Sequence, residues 1–261
     1  DLFTSILQTA LSPTTAAFVL AAIGVNTHLG YTGPMNMGQA GFMLVGAYGF
    51  GVSVSYFGLG FWTAILIAIA CSIVFAVILG IPTLKLRGDY LAIVTIAAAE
   101  ILRMVVRMAS LQEVTGGPTG LSGSKYRFVF SELSFLPEGR TTILGITYNN
   151  TGTDDWWTRI VAWGLVALAM LVTWLLVRSP WGRVLKGIRE DEDAVRSLGK
   201  SSFAYKMQAL ILGGAMGAVG GIVMALPSAM QPDSMGRPMT FNLWMIMLLG
   251  GAATIFGPLL G

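Results

Sequence analysis

The chain has 261 residues, of which 16 are Lys or Arg, 13 are Asp or Glu and 54% are apolar, and its mean hydropathy is +0.72. A water-soluble domain carries charge on roughly a quarter of its residues; at 11% this chain must turn its outer surface to something other than water, and lipid is the solvent that fits. Cys71 is the single cysteine and His28 the single histidine, which excludes an internal disulfide and any metal site built from several such ligands. The net charge of +3 comes without a basic face set among aromatic residues, so nucleic acid is not expected as a partner.

From Leu2 to Leu84 the chain has no Asp, Glu, Lys or Arg, a run too long for a signal peptide. At roughly 20 residues per membrane-spanning helix it holds about three spans, predicted at residues 14–29, 41–57 and 62–84. Residues 90–107 form a further apolar stretch that contains Glu100 and Arg103, so one side of it is expected to face protein or water. Residues 109–155 are polar, with glycines at 116, 117, 120 and 123 and then mixed aromatics, and read as an ordered lobe or a partly re-entrant loop. Uncharged runs return at 160–177, 207–232 and 238–261. The fold class is therefore all-α: a polytopic membrane helical bundle of about seven spans, one of them broken or re-entrant, forming one transmembrane domain over 1–261. No convincing internal repeat appears.

Orientation follows the basic residues. Arg178, Arg183, Lys186, Arg189, Arg196, Lys200 and Lys206 cluster in one segment against Glu190, Asp191, Glu192 and Asp193, and the positive-inside rule places that segment, 179–206, in the cytoplasm. Counting back puts Lys85 and Arg87 inside as well and 109–155 outside. The outer segment agrees: Lys125, Arg127 and Arg140 stand against Glu113, Glu132, Glu138, Asp154 and Asp155. Trp62, Trp156, Trp157 and Trp181 fall at predicted span ends, where indoles anchor to the headgroup region.

Three constellations stand out. Seven glycines lie between Gly30 and Gly51, around Gly33, Asn36 and Gln39. Irregular backbone at membrane depth is tolerated only against protein or a water-filled cavity, so an interrupted helix here points to a translocation path; a tight cytoplasmic turn with close packing is the competing reading. On the span starting at Asp89, itself read as an N-terminal cap, Glu100, Arg103 and Arg107 share one helical face, and Glu100 can pair with Arg103 within the helix. These arginines either snorkel with Glu100 as partner or line an outer vestibule. Between Val184 and Leu198 the basic segment is helix-permissive, with Gly199 as its stop and Leu185, Ile188, Val195 and Leu198 as a partial apolar stripe, which fits a helix lying along the membrane surface or a solvated loop. Gly213, Gly217 and Gly221 recur every four residues, a face for close helix contact. A nucleophile with its base, a phosphate loop and a metal-ligand cluster are all absent from the sequence, so an enzyme is not expected.

Several segments resemble the membrane permease subunits of ABC importers for branched-chain amino acids. They are Leu29-Gly-Tyr-Thr-Gly with Gly38-Gln-Ala-Gly-Phe, Arg87-Gly-Asp-Tyr-Leu-Ala-Ile-Val-Thr with Glu100-Ile-Leu-Arg103, Thr115-Gly-Gly-Pro-Thr-Gly-Leu, and Ser179-Pro-Trp-Gly-Arg-Val-Leu-Lys-Gly-Ile-Arg-Glu-Asp-Glu-Asp-Ala-Val-Arg-Ser-Leu-Gly199 with Tyr205-Lys206. The resemblance runs from about Thr14 to the end. It implies inward transport of leucine, isoleucine or valine across a bacterial plasma (inner) membrane; urea, short amides or other amino acids, and a stand-alone secondary transporter, are the alternatives. It also implies a cytoplasmic coupling helix of signature Glu-Ala-Ala, three residues, then Gly. Asp193-Ala194-Val195 precedes Gly199 at that spacing, with conservative departures at the first and third positions. The ATPase-coupling residues would be Arg189, Glu190, Asp191, Glu192, Asp193, Ala194, Val195 and Gly199. Gly33, Asn36, Gln39, Thr95 and Glu100 are expected along the path, and Arg103, Gly116, Gly117 and Thr119 at the outer vestibule. The expected partners are ABC ATPase subunits holding ATP and Mg, a second related permease, a periplasmic or lipid-anchored solute-binding protein, and membrane lipid; no cofactor or metal is expected in this chain. The sequence begins without Met and stops at Gly257-Pro-Leu-Leu-Gly261, where relatives continue, so a trimmed sequence is expected.

Overall fold

A computed structural model describes residues 2–86, 88–136, 139–143, 146–149 and 156–261. Arg87, Glu138, Asp154 and Asp155, which entered the charge count, lie outside the described residues. The protein is a helical bundle. Its first helix, α1 (Leu2–Ala10), is followed by α2 (Pro13–Val25), which starts where the Ser12 side chain accepts from the Thr15 amide at 3.1 Å and Pro13 supplies a preset first turn. Almost all of α2 is buried, so it runs through the centre of the bundle.

Helix α2 does not stop at 29. It widens into seven residues of π-helix, Asn26–Thr32, and ends at Gly33, whose φ of 97° is a left-handed value that favours glycine. Residues 33–38 are non-helical, and α3 (Gln39–Ser55) then runs on. Helix α4 (Phe61–Thr83) packs on α3 through Ala64, Ala68, Ser72 and Ala76, a buried stripe of small residues four apart, and leaves Leu66, Val74, Ile78 and Ile81 exposed on the other side. Helix α5 (Gly88–Val106) follows; Asp89 lies inside its first turn rather than capping it, where a carboxylate still complements the helix dipole.

Short elements then cover one end of the bundle: α6 (Gln112–Thr115), α7 (Phe128–Ser131) and a hairpin of β1 (Arg140–Ile143) with β2 (Ile146–Asn149), antiparallel with Arg140 opposite Asn149. This lobe is tied down. Tyr126 is fully buried and its hydroxyl donates to the Ala225 and Ser228 carbonyls at 2.9 and 2.8 Å, and Leu121 bridges to Met230. Helix α8 (Trp156–Arg178) returns along α2 with Leu168, Leu171 and Leu175 outward. Only Trp62 among the predicted anchors at these ends is a bare interfacial indole: Trp156 is buried, and Trp157 stacks on Phe130 at 5.7 Å and donates to its carbonyl.

At the opposite end, α9 (Pro180–Glu190) and α10 (Glu192–Ser197) replace the single helix expected over 184–198. Asp191 leaves the helical conformation (φ −152°, ψ 100°), and its carboxylate accepts from the Asp193 and Ala194 amides at 3.0 Å, making it the cap of a second helix. Leu185, Ile188 and Val195 are buried as the stripe requires, whereas Leu198 is 80% exposed. Gly199 does end the segment, with φ +76°.

Helix α11 (Ser202–Ala225) begins before the expected 207 and ends before 232. Its small-residue face is where the core closes. A Cβ on Gly213 would sit 2.6 Å from the Gly24 carbonyl of α2, one on Gly217 2.5 Å from the Gln39 amide nitrogen, and one on Gly221 2.0 Å from the Met43 carbonyl of α3. Such contact between helices is made by dispersion at backbone distance, which larger side chains forbid. Helix α12 (Arg237–Gly250) is 14 residues, about 21 Å and short of the ~30 Å apolar core. The expected span over 238–261 is thus not continuous: the chain turns at Gly251 (φ 107°) and Ala253 (φ 62°), and α13 (Gly257–Leu260) folds back against the end of α12. Asn26 holds that turn, accepting from the Ala253 amide and donating to the Thr254 carbonyl, each at 2.8 Å. By length and composition α4, α8 and α11 can each cross a membrane, and their exposed aliphatic faces make this a polytopic membrane protein.

Replacing Gly221 by Ala should lower thermal stability in detergent by ~1–3 kcal/mol, because the added methyl meets a backbone carbonyl that cannot rotate away. In the same helical context Gly164→Ala, where nothing stands within 4 Å, should be neutral or gain up to ~1 kcal/mol from helix propensity. Equal melting temperatures for the two variants would show that the close face is not what holds the bundle.

Candidate functional site

The break at 33–38 buries Asn36 and Gly38 inside the protein and leaves Met35 exposed. The Asn36 amide group donates to His28 Nδ1 at 3.0 Å, so His28 carries its proton on Nε2 and donates it to the Leu210 carbonyl at 3.2 Å. Asn36 Oδ1 accepts from the Gly38 amide at 2.8 Å, the Met37 amide donates to Thr95 Oγ1 at 2.9 Å, and Trp244 Nε1 donates to the Asn36 carbonyl at 3.2 Å. The Met37 amide and the Asn36 carbonyl are answered by side chains from other helices and the Gly38 amide by Asn36 itself, as a break shielded from water requires. The stretch is also a turn with close packing: Asn36 is 1% exposed, while Gly33 and Pro34 border the cavity at the α9–α10 end and Met35 is 40% exposed.

Two neighbouring cavities adjoin the break. A narrow inner pocket of about 10 Å³ is lined by polar His28, Thr32, Asn36, Thr83, Thr95 and Lys206 among Leu84, Leu91 and Leu210. That is room for about one water. It shares the walls formed by Thr32, Pro34, Leu84, Leu91 and Lys206 with a vestibule of about 390 Å³ at the α9–α10 end, lined also by Gly33, Lys85, Ile188, Arg189, Glu192 and Arg196. Of the residues expected along the path, Asn36, Thr95 and Gly33 are brought together here. Gln39 is not: its Nε2 donates to the Ala21 and Gly213 carbonyls at 3.3 and 3.0 Å, tying α2, α3 and α11 together. Glu100 lies at the other end of α5. His28, Thr32, Thr83 and Lys206 were not picked out from the sequence as lining residues; a lone histidine in an uncharged run was the available signal.

At the Glu100 end the expected pair forms, with Arg103 Nε donating to Glu100 at 3.1 Å. It belongs to a larger network in which Asp233 accepts from Arg103 and lies 3.1 Å from Arg107, and Arg237 stands 3.9 Å from Glu100. Asp233 and Arg237 come from the segment after α11. Gly116, Gly117 and Thr119 form the adjoining turn, held to α5 by Thr115 Oγ1 on the Val106 carbonyl at 2.8 Å and closed by Thr119 Oγ1 on the Gly116 carbonyl. Both glycines have positive φ, and a Cβ at Gly116 would lie 2.0 Å from the Gly120 carbonyl, so they shape the turn.

The α9–α10 segment is joined to the π-helix before the break at one point and to α11 at another. Arg189 Nη1 donates to the Gly30 carbonyl of the π-helix at 2.6 Å, a cation on a helix C-terminus. Glu192 Oε1 accepts from Arg196 and Ser202 at 2.8 and 2.7 Å, and Oε2 accepts from Lys206 of α11. Burial alone would raise the Glu192 carboxyl, but the hydrogen bonds from Lys206 and Ser202 and the charges of Lys206 and Arg196 outweigh it and hold the group below its ordinary 4.5. A depressed native value stabilises the joint above pH 4.5 and loses that contribution as pH falls through the lower native value. Amide exchange in α10, corrected for the intrinsic rate, should therefore accelerate on acidification below that range, and Glu192→Gln should remove the pH dependence while raising exchange at neutral pH. Exchange that ignores both would mean that Glu192 does not hold the joint.

Comparison with known proteins extends beyond the geometry. The chain is similar to LivM of Escherichia coli (strain K12), a high-affinity branched-chain amino acid transport system permease protein, at 32% identity over 266 residues that cover 94% of this chain and 59% of the relative. It is similar to a probable branched-chain amino acid transport permease protein LivM of Methanocaldococcus jannaschii at 26% identity, covering 94% of this chain and 75% of that one. A shorter likeness, 31% over 107 residues and 39% of this chain, is to the autoinducer 2 import system permease protein LsrC of Salmonella typhi, of which it covers 31%. The chain spans 59% of the length of the Escherichia coli relative. No solved structure matches it. The family model described as branched-chain amino acid transport system / permease component matches residues 9–261, and the chain belongs to that family.

Proposed function

We propose that the chain is the permease subunit of an ABC importer that carries branched-chain amino acids inward across a bacterial plasma membrane, driven by separate ATPase subunits that bind ATP and Mg. Residues 179–206 face the cytoplasm in this reading, and 109–155 face outward to receive a solute-binding protein. The names of the similar permeases support the solute class. The observation that carries the mechanism is the attachment of α9–α10 to two elements at once: to the interrupted helix, through Arg189 on the Gly30 carbonyl, and to α11, through Glu192 on Lys206.

Work done on a surface segment moves a transport path only if the two are rigidly joined. The segment also presents a free outer face: Glu190 and Asp193 side chains are 73% and 94% exposed, Leu198 is exposed, and nothing stands within 4 Å of a Cβ at Gly199. An exposed leucine among charges fits a docking surface better than a solvated loop. A second, related permease subunit would complete the translocation path, whose two ends would open in turn around the break. Glu100, Arg103 and the network with Asp233 stand at the end that faces the binding protein in this reading.

Gly199→Trp tests docking. A side chain at φ +76° costs about 1–2 kcal/mol of backbone strain and its Cβ meets nothing within 4 Å, so the full-length subunit should still insert and fold. Co-purification of the ATPase and leucine uptake in reconstituted vesicles should both fall at least about tenfold, the equivalent of 1.4 kcal/mol of lost docking; deletion of 190–199 should abolish them. Undiminished uptake after that deletion would replace this reading with a stand-alone carrier.

A further inference from the structure

We propose that the Lys206–Glu192 pair, at the constriction between vestibule and inner pocket, is a binding site for a zwitterionic solute: the Lys206 ammonium takes the solute's carboxylate, Glu192 Oε2 takes its ammonium, and Leu84 and Leu91 take its aliphatic side chain. The proposal rests on the transport reading above and deepens it by naming where and how the solute is held.

Position is the first argument. Lys206, Leu84 and Leu91 line both cavities, so they form the neck that a solute passes between them. The vestibule is within the size range of small-ligand pockets, and the pocket beyond the neck is far below it. A solute in this conformation therefore stops at the neck.

Charge is the second. The Lys206 side chain is 14% exposed and that of Glu192 29%, so the pair is partly dehydrated and its charges are worth more than on an open surface. The other vestibule cations are engaged elsewhere: Lys85 stands over the Phe203 ring, Arg189 holds the Gly30 carbonyl and Glu190, and Arg196 holds Glu192 and Asp193. Glu192 is oriented for exchange, because Arg196 and Ser202 fix Oε1 and leave Oε2 to Lys206. A simple carboxylate entering the pair would leave Oε2 without its partner, with Arg196 alone facing Glu192, and a simple amine would strand Lys206 as an uncompensated charge. A zwitterion separates the pair and repairs both halves.

The third argument is the wall. Beside the two charges the neck offers leucine side chains, and the hydroxyls of Thr32 and Thr83 are turned back onto the Thr27 and Leu79 carbonyls. The polar ends of an α-amino acid are satisfied by the pair while an aliphatic side chain meets carbon.

The test is thiol protection in the full-length subunit within its reconstituted complex, using Thr32→Cys in a Cys71→Ser background and a membrane-impermeant thiol reagent applied from the α9–α10 face. Leucine should slow labelling; leucinamide, which lacks the carboxylate, and 4-methylpentanoate, which lacks the ammonium, should not. K206M or E192Q added to that background should raise the leucine concentration for half protection at least about tenfold, the loss expected for one charge-assisted bond. Lys186→Gln, at an exposed residue that lines neither cavity, should leave it unchanged. Labelling of K206M and E192Q without leucine, at the parent rate, checks that the neck is still formed. Protection by leucinamide or 4-methylpentanoate equal to that by leucine, or protection that survives both K206M and E192Q, would overturn the site. Leucine uptake by the parent complex without any protection would overturn the site and leave the transport reading standing, whereas absence of amino-acid uptake by the parent complex would remove both.

Discussion

A helix interrupted inside a lipid-facing bundle leaves amides and carbonyls that lipid cannot satisfy, and the rest of this structure is arranged around that constraint. The interruption at 33–38 is answered from three directions: Thr95 of α5 takes the Met37 amide, Trp244 of α12 reaches the Asn36 carbonyl, and His28 of the π-helix receives the Asn36 side chain. Those partners must come close, and the glycine face of α11 is what lets them. With a Cβ at Gly213 only 2.2 Å from His28 Nε2, any larger residue there would displace the imidazole that anchors Asn36. The packing of α11 and the polar satisfaction of the break are one requirement met by one set of glycines.

The same economy governs the two ends. Each carries a shared carboxylate that links two elements: Glu192 of α10 with Arg196 of α10 and with Lys206 and the Ser202 hydroxyl of α11 at one end, and Asp233 from the segment after α11 with Arg103 and Arg107 at the end of α5 at the other. A single exposed ion pair contributes little, but a carboxylate shared by two helices fixes their relative position, and releasing it frees both. In the proposed cycle such joints at opposite ends can be made and broken in turn, while the apolar middle of α2, α3 and α11 moves as a unit.

Much of this was legible in the sequence because local spacing carried it. Glycines every four residues on one helix, and Glu100 three residues before Arg103, are statements about a single helical face, and the structure realises both. The interruption was legible from glycine density, although the π-helical run before Gly33 was not, since nothing in Asn-Thr-His-Leu-Gly-Tyr-Thr distinguishes a widened turn from an α-helical one. Partners brought together by tertiary packing were hidden: Asp233 is 130 residues from Arg103, and Lys206 meets Glu192 only because α10 and α11 turn back on each other. The split at Asp191 was hidden for another reason. A run of Arg-Glu-Asp-Glu-Asp suits a helix by propensity, and the choice of Asp191 as a cap is made by the burial of Ile188 and Val195 on two differently directed helices. The break in the last predicted span escaped because Gly-Gly-Ala-Ala is compatible with an apolar helix until Asn26, over two hundred residues away, binds the turn.

The inner pocket is narrow without a bulky plug. Thr32 and Thr83 direct their hydroxyl protons to carbonyls one helical turn back, Thr95 does the same to Ala92, and His28 and Asn36 satisfy each other. A polar layer whose donors are all engaged internally makes few demands on water, so a cavity of about 10 Å³ remains narrow although its walls are rich in hydroxyl and amide groups.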